Sequence, residues 1–255
     1  MKILVALKQV PSRDAPLKIA PDGRWIEEPD ASEINEPDAY ALEEGLQLRE
    51  KLGGEVVVLC AGPQRARDAI REALAKGADR AIDIQDDHLE RFDILGIARL
   101  LAKAAREESP DLILTGLQSD DLGYGQTGVV MAELLGLPHA TIIMQVEKSE
   151  SGIRVKRELE DGWFQHVDLP LPAVLTIQSG INKLRYATLM GIKKAQSKPR
   201  KNVTAEELGG ASGASVTLEK IYMPVRSKQT RLLEGSPAEQ ASQLVEILRH
   251  EVRVL

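Results

Sequence analysis

The sequence of 255 residues is 43% hydrophobic and 28% charged, which is ordinary for a globular protein that buries a sizeable core. Its net charge of −6 argues against nucleic-acid binding, and aromatic residues, at 3%, are too few for base-stacking platforms. It has one cysteine, Cys60, and no apolar stretch near the ~18 residues of a membrane-spanning helix. We therefore expect no membrane insertion and a reducing compartment, the cytoplasm of a bacterium or archaeon or the mitochondrial matrix of a eukaryote.

Strand-like and helix-like segments alternate from the N-terminus to residue 135. The opening MKILVALKQVP is typical of a first buried strand rather than of a signal peptide, because no small-residue cleavage site follows it. Strands are predicted at Lys2–Leu7, Glu55–Gly62, Ala81–Ile84 and Asp111–Gly116. Helices are predicted at Asp38–Leu52, 64–76, Asp93–Glu108 and Thr127–Leu135. This alternation predicts an α/β fold with a doubly wound, mostly parallel, Rossmann-like sheet.

The pattern changes after Thr141. Two strands joined by a Ser-Gly turn are followed by a third β-like segment with prolines at 170 and 172. Beyond them we predict a basic loop, a short capped helix, a flexible linker and a terminal helix, at Asn182–Lys201, Thr204–Glu207, Gly209–Ser215 and Ser236–Arg253. We therefore expect two parts, an α/β domain at 1–181 and an extension at 182–255 that packs on a partner subunit.

The loop GLQSDDLGYGQTG contains the letters G-x-G-x-x-G at Gly123, Gly125 and Gly128. In a dinucleotide fingerprint the first glycine directly follows the strand, whereas Gly123 lies seven residues beyond Gly116. The alternative is a phosphate bound at the N-terminus of the helix that begins near Thr127. Two other interpretations of the loop stay open: that the protein is an NAD-dependent Rossmann oxidoreductase, and that the glycines only turn the chain.

No catalytic constellation accompanies this loop. The four histidines are scattered without ligand spacing, so we expect no metal site, and no nucleophile–base arrangement can be argued. We therefore predict no catalytic residues from the sequence.

Collinear segments of the sequence resemble the beta subunit of electron transfer flavoproteins. The segments are KILVALKQVP, Asn35 with DAYALEEGLQLRE, AIREALAKGADRA, GQTG, VKRELEDGWFQHVDLPLPAVLT and RYATLMGIKKA. The resemblance covers nearly the whole chain. It implies a subunit that pairs with an alpha subunit and carries electrons without catalysing a reaction of its own.

In that family the heterodimer holds one FAD, mostly on the alpha subunit, and the beta subunit commonly holds a structural AMP. The FAD accepts electrons from acyl-CoA or other flavin dehydrogenases, in fatty acid oxidation for example, and passes them to a membrane-bound quinone oxidoreductase. The resemblance implies AMP contacts at Ala6, Asn35, Glu36, Pro37, Asp38, Ala61, Gly125, Gln126, Thr127, Gly128, Val129 and Val130. Arg13 stands where some members place an aromatic ring near the flavin.

The resemblance also implies contacts with protein partners. Leu189 matches an apolar residue that docks in a pocket of the dehydrogenase, within a basic loop whose matching residues are Arg185, Tyr186, Lys193 and Lys194. Glu158 matches an acidic residue that contacts the mobile FAD-bearing domain of the alpha subunit.

Two alternatives for the nucleotide remain open. In an electron-bifurcating branch of the family, which oxidises NADH, a second FAD takes the place of AMP; the loop GQTGVV lacks the acidic residue of that branch, so AMP is favoured. The second alternative is a regulatory module that responds to AMP and exchanges its nucleotide with the solvent.

Overall fold

The computed structural model describes residues 1–210, 214–224 and 230–254. The chain divides into two compact units, Met1–Glu219 and Lys220–Leu255. In the first, the strands are β1 (Lys2–Leu7), β2 (Gln9–Pro11), β3 (Ser32–Ile34), β4 (Glu55–Gly62), β5 (Arg80–Gln85), β6 (Leu112–Gly116), β7 (His139–Lys148), β8 (Ile153–Glu158), β9 (Phe164–Leu169), β10 (Ala173–Ile177) and β11 (Arg200–Thr204). The helices are α1 (Glu36–Leu52), α2 (Arg67–Lys76), α3 (Ile94–Glu108), α4 (Thr127–Leu135) and α5 (Leu189–Ala195).

Nine of these strands form one sheet in the order β11-β5-β4-β1-β6-β10-β7-β8-β9. The first seven run parallel, β8 is antiparallel to β7, and β9 is antiparallel to β8. The chain moves outward from β1 through β4 to β5, then crosses to β6 on the other side of β1. The predicted α/β fold with a mostly parallel, doubly wound sheet is confirmed.

The core has two layers because the central strands are buried on both faces. In β1, Ile3 and Val5 point to the layer that also contains apolar residues of α1 and α2. Leu4 points to the opposite layer, which contains residues of α3 and α4. Alternating side chains of one strand thus serve both layers.

The basic segment Asn182–Lys201, predicted as a loop, contains α5 and the start of β11. Strand β11 pairs with β5 at the edge of the main sheet, and Gly191 and the buried Ala195 of α5 face the body of the protein. The compact first unit therefore extends to Glu219, later than the boundary expected after residue 181.

The short helix predicted at Thr204–Glu207 is a turn. Its capping-box hydrogen bonds do form, since the Glu207 N–H donates to Thr204 Oγ1 at 3.2 Å and the Thr204 N–H to Glu207 Oε2 at 2.7 Å. The chain does not continue as a helix, because Gly209 and Gly210 follow with positive φ. Residues 211–213 of the predicted linker Gly209–Ser215 lie outside the described residues.

The second unit contains α6 (Pro237–Glu246), which continues as a π-helical turn at Ile247–Val252. Ser236 and Glu239 form the predicted capping box, so the terminal helix begins where the sequence places it. None of the described residues of this unit is buried. Among the described residues of the whole chain, no helix is long and apolar enough to cross a membrane.

Candidate functional site

The carboxyl ends of β1 and β6 diverge to form a crevice. Their ladder ends at the pair Val5–Leu114, although β1 continues to Leu7 and β6 to Gly116. The strand order reverses between these two strands, and ligands of open α/β sheets bind at such a switch point.

Asp38, in the first turn of α1, closes the base of this crevice. Its Oδ2 accepts a hydrogen bond from the Lys8 N–H at 2.8 Å and its Oδ1 accepts one from the Gly116 N–H at 2.9 Å. Burial raises the pKa of the Asp38 carboxyl to about 7, against the lowering effect of these two hydrogen bonds. Both oxygens are therefore used to join the two strands.

The N-terminus of α1 is occupied by the protein's own groups. Asp120 Oδ2 accepts from the Glu36 N–H at 3.3 Å, and the Asp120 N–H donates to Asn35 Oδ1 at 2.9 Å. Asn35 is buried and also donates from Nδ2 to the Gln118 carbonyl. A carboxylate thus already faces the positive end of α1, which leaves little attraction there for a phosphate.

The other polar groups of the loop after β6 are also paired. Lys8 Nζ lies 2.6 Å from Asp121 Oδ1. The negative charge of the Asp121 carboxylate is therefore compensated by the Lys8 ammonium. The Arg13 guanidinium pairs with the Glu36 carboxylate at 2.8 Å and is exposed. Arg13, for which the resemblance implies a place near the flavin, thus forms an exposed ion pair with Glu36, for which it implies a contact with AMP.

The N-terminus of α4 is open. No side chain caps it, and its first turn contains no acidic residue. Gln126 is exposed, and Thr127, Val129 and Val130 are half-buried around the first turn. The first N–H groups of a helix and its positive dipole end favour an anion, so this terminus is suited to a phosphate.

The glycines of the loop have different tasks. Gly125 has a φ of +64°, which turns the chain toward α4. A Cβ at Gly128 would lie 2.5 Å from Thr115 Oγ1 and 2.7 Å from Thr176 Cγ2, so the lack of a side chain lets α4 pack on β6 and β10. Gly128 therefore brings the helix to the sheet, and its contact with AMP stays a prediction.

The remaining predicted nucleotide contacts lie along the same edge of the sheet. Ala6 is buried near the end of β1, Ala61 is half-buried near the end of β4, and Pro37 is buried in the first turn of α1. A Cβ at Gly116 would overlap both Pro37 and Asp38, so the end of β6 closely contacts α1. The fold thus brings Ala6, the start of α1 and the start of α4 to one crevice.

Sequence analysis did not include Lys8, Gln118, Asp120 or Asp121 among the site residues. A lysine directly after the first strand was an available signal, but its partner Asp121 is 113 positions away.

The predicted docking residues lie on and before α5. Leu189 is 81% exposed and Tyr186 93% exposed, next to the exposed Met190. Lys193 and Lys194 are exposed and form no ion pair with a described residue. We call Tyr186, Leu189, Met190, Lys193 and Lys194 the α5 surface; it is an apolar patch next to positive charge.

Glu158 ends β8 beside a turn whose aromatic residues are exposed. Its Oε2 lies 3.5 Å from Gln178 Nε2, a weak contact. Trp163 is 72% exposed, and Lys156 Nζ lies 3.9 Å from the centre of the Phe164 ring. Glu158 thus belongs to an accessible surface with aromatic and charged groups.

Two other expectations concern cysteine and metals. Cys60 is fully buried in β4, and burial raises the pKa of its thiol to about 12, so it packs as a small apolar residue. Among the described residues, no group of three or more His, Cys, Asp or Glu is arranged to hold a metal ion.

The fold is that of an α/β protein with a mostly parallel, doubly wound sheet. The sequence model of the electron transfer flavoprotein domain matches residues 24–208. The chain is 38% identical to the electron transfer flavoprotein subunit beta of Methylophilus methylotrophus, over 97% of this chain and 98% of the relative. It is 37% identical to that of Bacillus subtilis, over 93% and 91%, and 35% identical to the mitochondrial one of Oryza sativa subsp. japonica, over the full length of both. The chain belongs to the family of electron transfer flavoprotein beta subunits, whose members are electron-carrier subunits.

Proposed function

We propose that the chain pairs with an electron transfer flavoprotein alpha subunit and binds AMP with its phosphate at the N-terminus of α4. In this complex it completes the FAD site of the alpha subunit, with Arg13 and Glu158 facing the partner. The AMP is held for structure, and electrons travel on the FAD.

The observation that carries the AMP proposal is the contrast between two helix termini at one crevice. Asp120 already occupies the terminus of α1, whereas α4 has no side-chain cap and no acidic residue in its first turn. A single open terminus suits one phosphate group better than the pyrophosphate of a dinucleotide. The ten residues 117–126 between β6 and α4 also differ from the tight turn of the NAD fingerprint.

The α5 surface supports a second part of the proposal, docking of acyl-CoA or other flavin dehydrogenases. Exposed apolar side chains flanked by exposed lysines suit a transient interface with an acidic partner. Electrons then leave the FAD toward a quinone oxidoreductase.

The second unit supports pairing with the alpha subunit. Tyr222, Met223 and Leu232 are each more than 70% exposed, and none of its described residues is buried. A segment that buries nothing by itself gains stability by covering apolar area of another chain.

The nucleotide content of the purified heterodimer tests the proposal. The complex is denatured in acid, and the released nucleotides are separated and counted. We expect one AMP and one FAD per heterodimer, with AMP retained through dialysis. Two FAD would indicate the electron-bifurcating type, bound NAD an oxidoreductase, and AMP that exchanges on dialysis a regulatory module; each would overturn the proposal.

A further inference from the structure

Arg185, four residues before Leu189, is held by two carboxylates of α1. Its Nε donates to Glu43 Oε2 at 2.7 Å and its Nη1 donates to Glu50 Oε1 at 2.6 Å. Its Nη2 adds hydrogen bonds to Glu43 Oε1 at 3.0 Å and Glu50 Oε2 at 3.2 Å. These two fork-like pairs engage all three nitrogens of the guanidinium, so they fix its orientation.

The two pairs differ in burial. The Glu43 side chain is 5% exposed, whereas the Glu50 side chain is 50% exposed. Arg185 also lowers the pKa of the Glu50 carboxyl through their hydrogen bonds. Since Glu43 is buried, it depends on Arg185 for its charge to be compensated.

Further contacts hold the same segment at both ends. Asn182 Nδ2 donates to the Tyr40 carbonyl at 3.2 Å and to Glu44 Oε2 at 3.1 Å. Lys198 Nζ donates to the carbonyls of Leu74 and Ala78, at and just beyond the last turn of α2. The segment that carries the α5 surface is thus tied to α1 before it and to α2 after it.

The middle of the segment Asn182–Lys198 is in close contact with α2. A Cβ at Gly191 would overlap the Ala75 carbonyl oxygen, so α5 lies directly on the backbone of α2. Leu189 and Met190 stand away from this contact and are exposed. The exposed apolar side chains are therefore carried by a backbone that packs against α2.

We propose that Arg185 is a positioning residue, which holds the α5 surface ready for its partner through Glu43 and Glu50 instead of contacting the partner itself. The inference rests on the proposed docking function of that surface. A surface that is ordered before binding loses less conformational entropy on association. Arg185 therefore affects the encounter with the dehydrogenase, not electron transfer within the docked complex.

The test uses the assembled heterodimer with an acyl-CoA dehydrogenase as electron donor. Hydrogen exchange of the peptide 182–190 reports the order of the segment, and steady-state kinetics report KM and kcat for the heterodimer. In Arg185→Gln we expect faster exchange in this peptide and a KM raised about tenfold, with kcat unchanged. Arg185→Lys should give a partial effect, because an ammonium cannot form both fork-like pairs.

Glu50→Gln provides a second variant in case Arg185→Gln does not assemble. It weakens the exposed pair and leaves Glu43 compensated, so we expect the same two changes at smaller size. Lys201→Gln is the control, because it breaks an exposed ion pair with Glu107 in the same basic segment; we expect no change in either measurement.

The outcomes separate this inference from the docking proposal. Leu189→Ala should raise KM and leave hydrogen exchange unchanged. An unchanged KM in this variant would count against the docking proposal itself. If Leu189→Ala raises KM, the positioning role is overturned by either of two results for Arg185→Gln. One is faster exchange with unchanged KM, and the other is a raised KM with unchanged exchange, which would indicate direct contact with the partner.

Discussion

The Asp38 carboxylate bonds to Gly116 where the central strands stop pairing. Its Oδ1 accepts from the Gly116 N–H at 2.9 Å, while its Oδ2 accepts from the Lys8 N–H at the end of β1. The side chain thus takes the place of the ladder that ends at Val5–Leu114. One buried acidic group therefore joins the two strands at the crevice.

The first prediction concerns stability between about pH 4 and pH 7. Asp38 has a pKa raised from 3.8 to about 7, so the folded chain binds this proton more tightly than the unfolded chain does. The contribution of Asp38 to the free energy of unfolding therefore falls by ~4 kcal/mol at most as pH rises through this window. Above about pH 7 it is constant.

Thermal-unfolding midpoints of wild-type and Asp38→Asn heterodimers across this range check the prediction. We expect the wild-type midpoint to fall relative to the variant as pH rises to about 7, and their difference to be constant above it. A difference that does not vary with pH would show that Asp38 titrates normally.

The second prediction places a charge at the start of α4. Thr127→Asp puts a carboxylate beside the proposed phosphate, and we expect AMP affinity to fall at least about tenfold by charge repulsion. Thr127→Asn has the same size without the charge and should retain AMP. Nucleotide released from the two purified heterodimers is compared; equal AMP content would place the phosphate elsewhere.

The third prediction concerns Leu189. A leucine that moves from water into a partner's pocket contributes ~1.5–3 kcal/mol, so Leu189→Ala should raise KM with the dehydrogenase about 10- to 100-fold. AMP content and assembly should be unchanged. Val216→Ala removes apolar atoms from another exposed site and serves as the control. Loss of assembly in Leu189→Ala would instead place Leu189 at the interface between subunits.

The fourth prediction concerns the second unit. Truncation after Glu219 leaves the nine-stranded sheet whole, so the shortened chain should keep the circular-dichroism spectrum of a folded α/β protein, reduced only by the helical signal of α6. We expect it to lose stable pairing with the alpha subunit, because the exposed apolar residues of the second unit are removed. Co-purification with a tagged alpha subunit measures this, and undiminished pairing would assign those residues another role.

Elements with local signals were predictable. Glycines at 53, 77 and 136 end helices as expected, and Ser236 begins α6 with its capping box. Strands β1, β4 and β6 are apolar runs, because parallel strands with helices on both faces are buried on both sides.

Elements held by distant partners were not predictable. Strand β11 is mostly polar and exposed, so no hydrophobic periodicity marks it, and only pairing with β5 makes it a strand. Helix α5 has only seven residues, and it packs on α2 through the close contact of Gly191 with the backbone of Ala75. No residue close to Gly191 in the sequence indicates this contact. Its prediction as a loop failed for this reason.

The sequence by itself determined the α/β alternation, the helix ends and the family, because each depends on residues close in the chain or on collinear motifs. Only the tertiary structure decided which helix terminus at the crevice is open. Asp120 meets the Glu36 N–H from 84 positions away, and Arg185 meets Glu43 from 142 positions away. Such pairs follow from the way the strands assemble in the sheet, and local spacing contains no information about them.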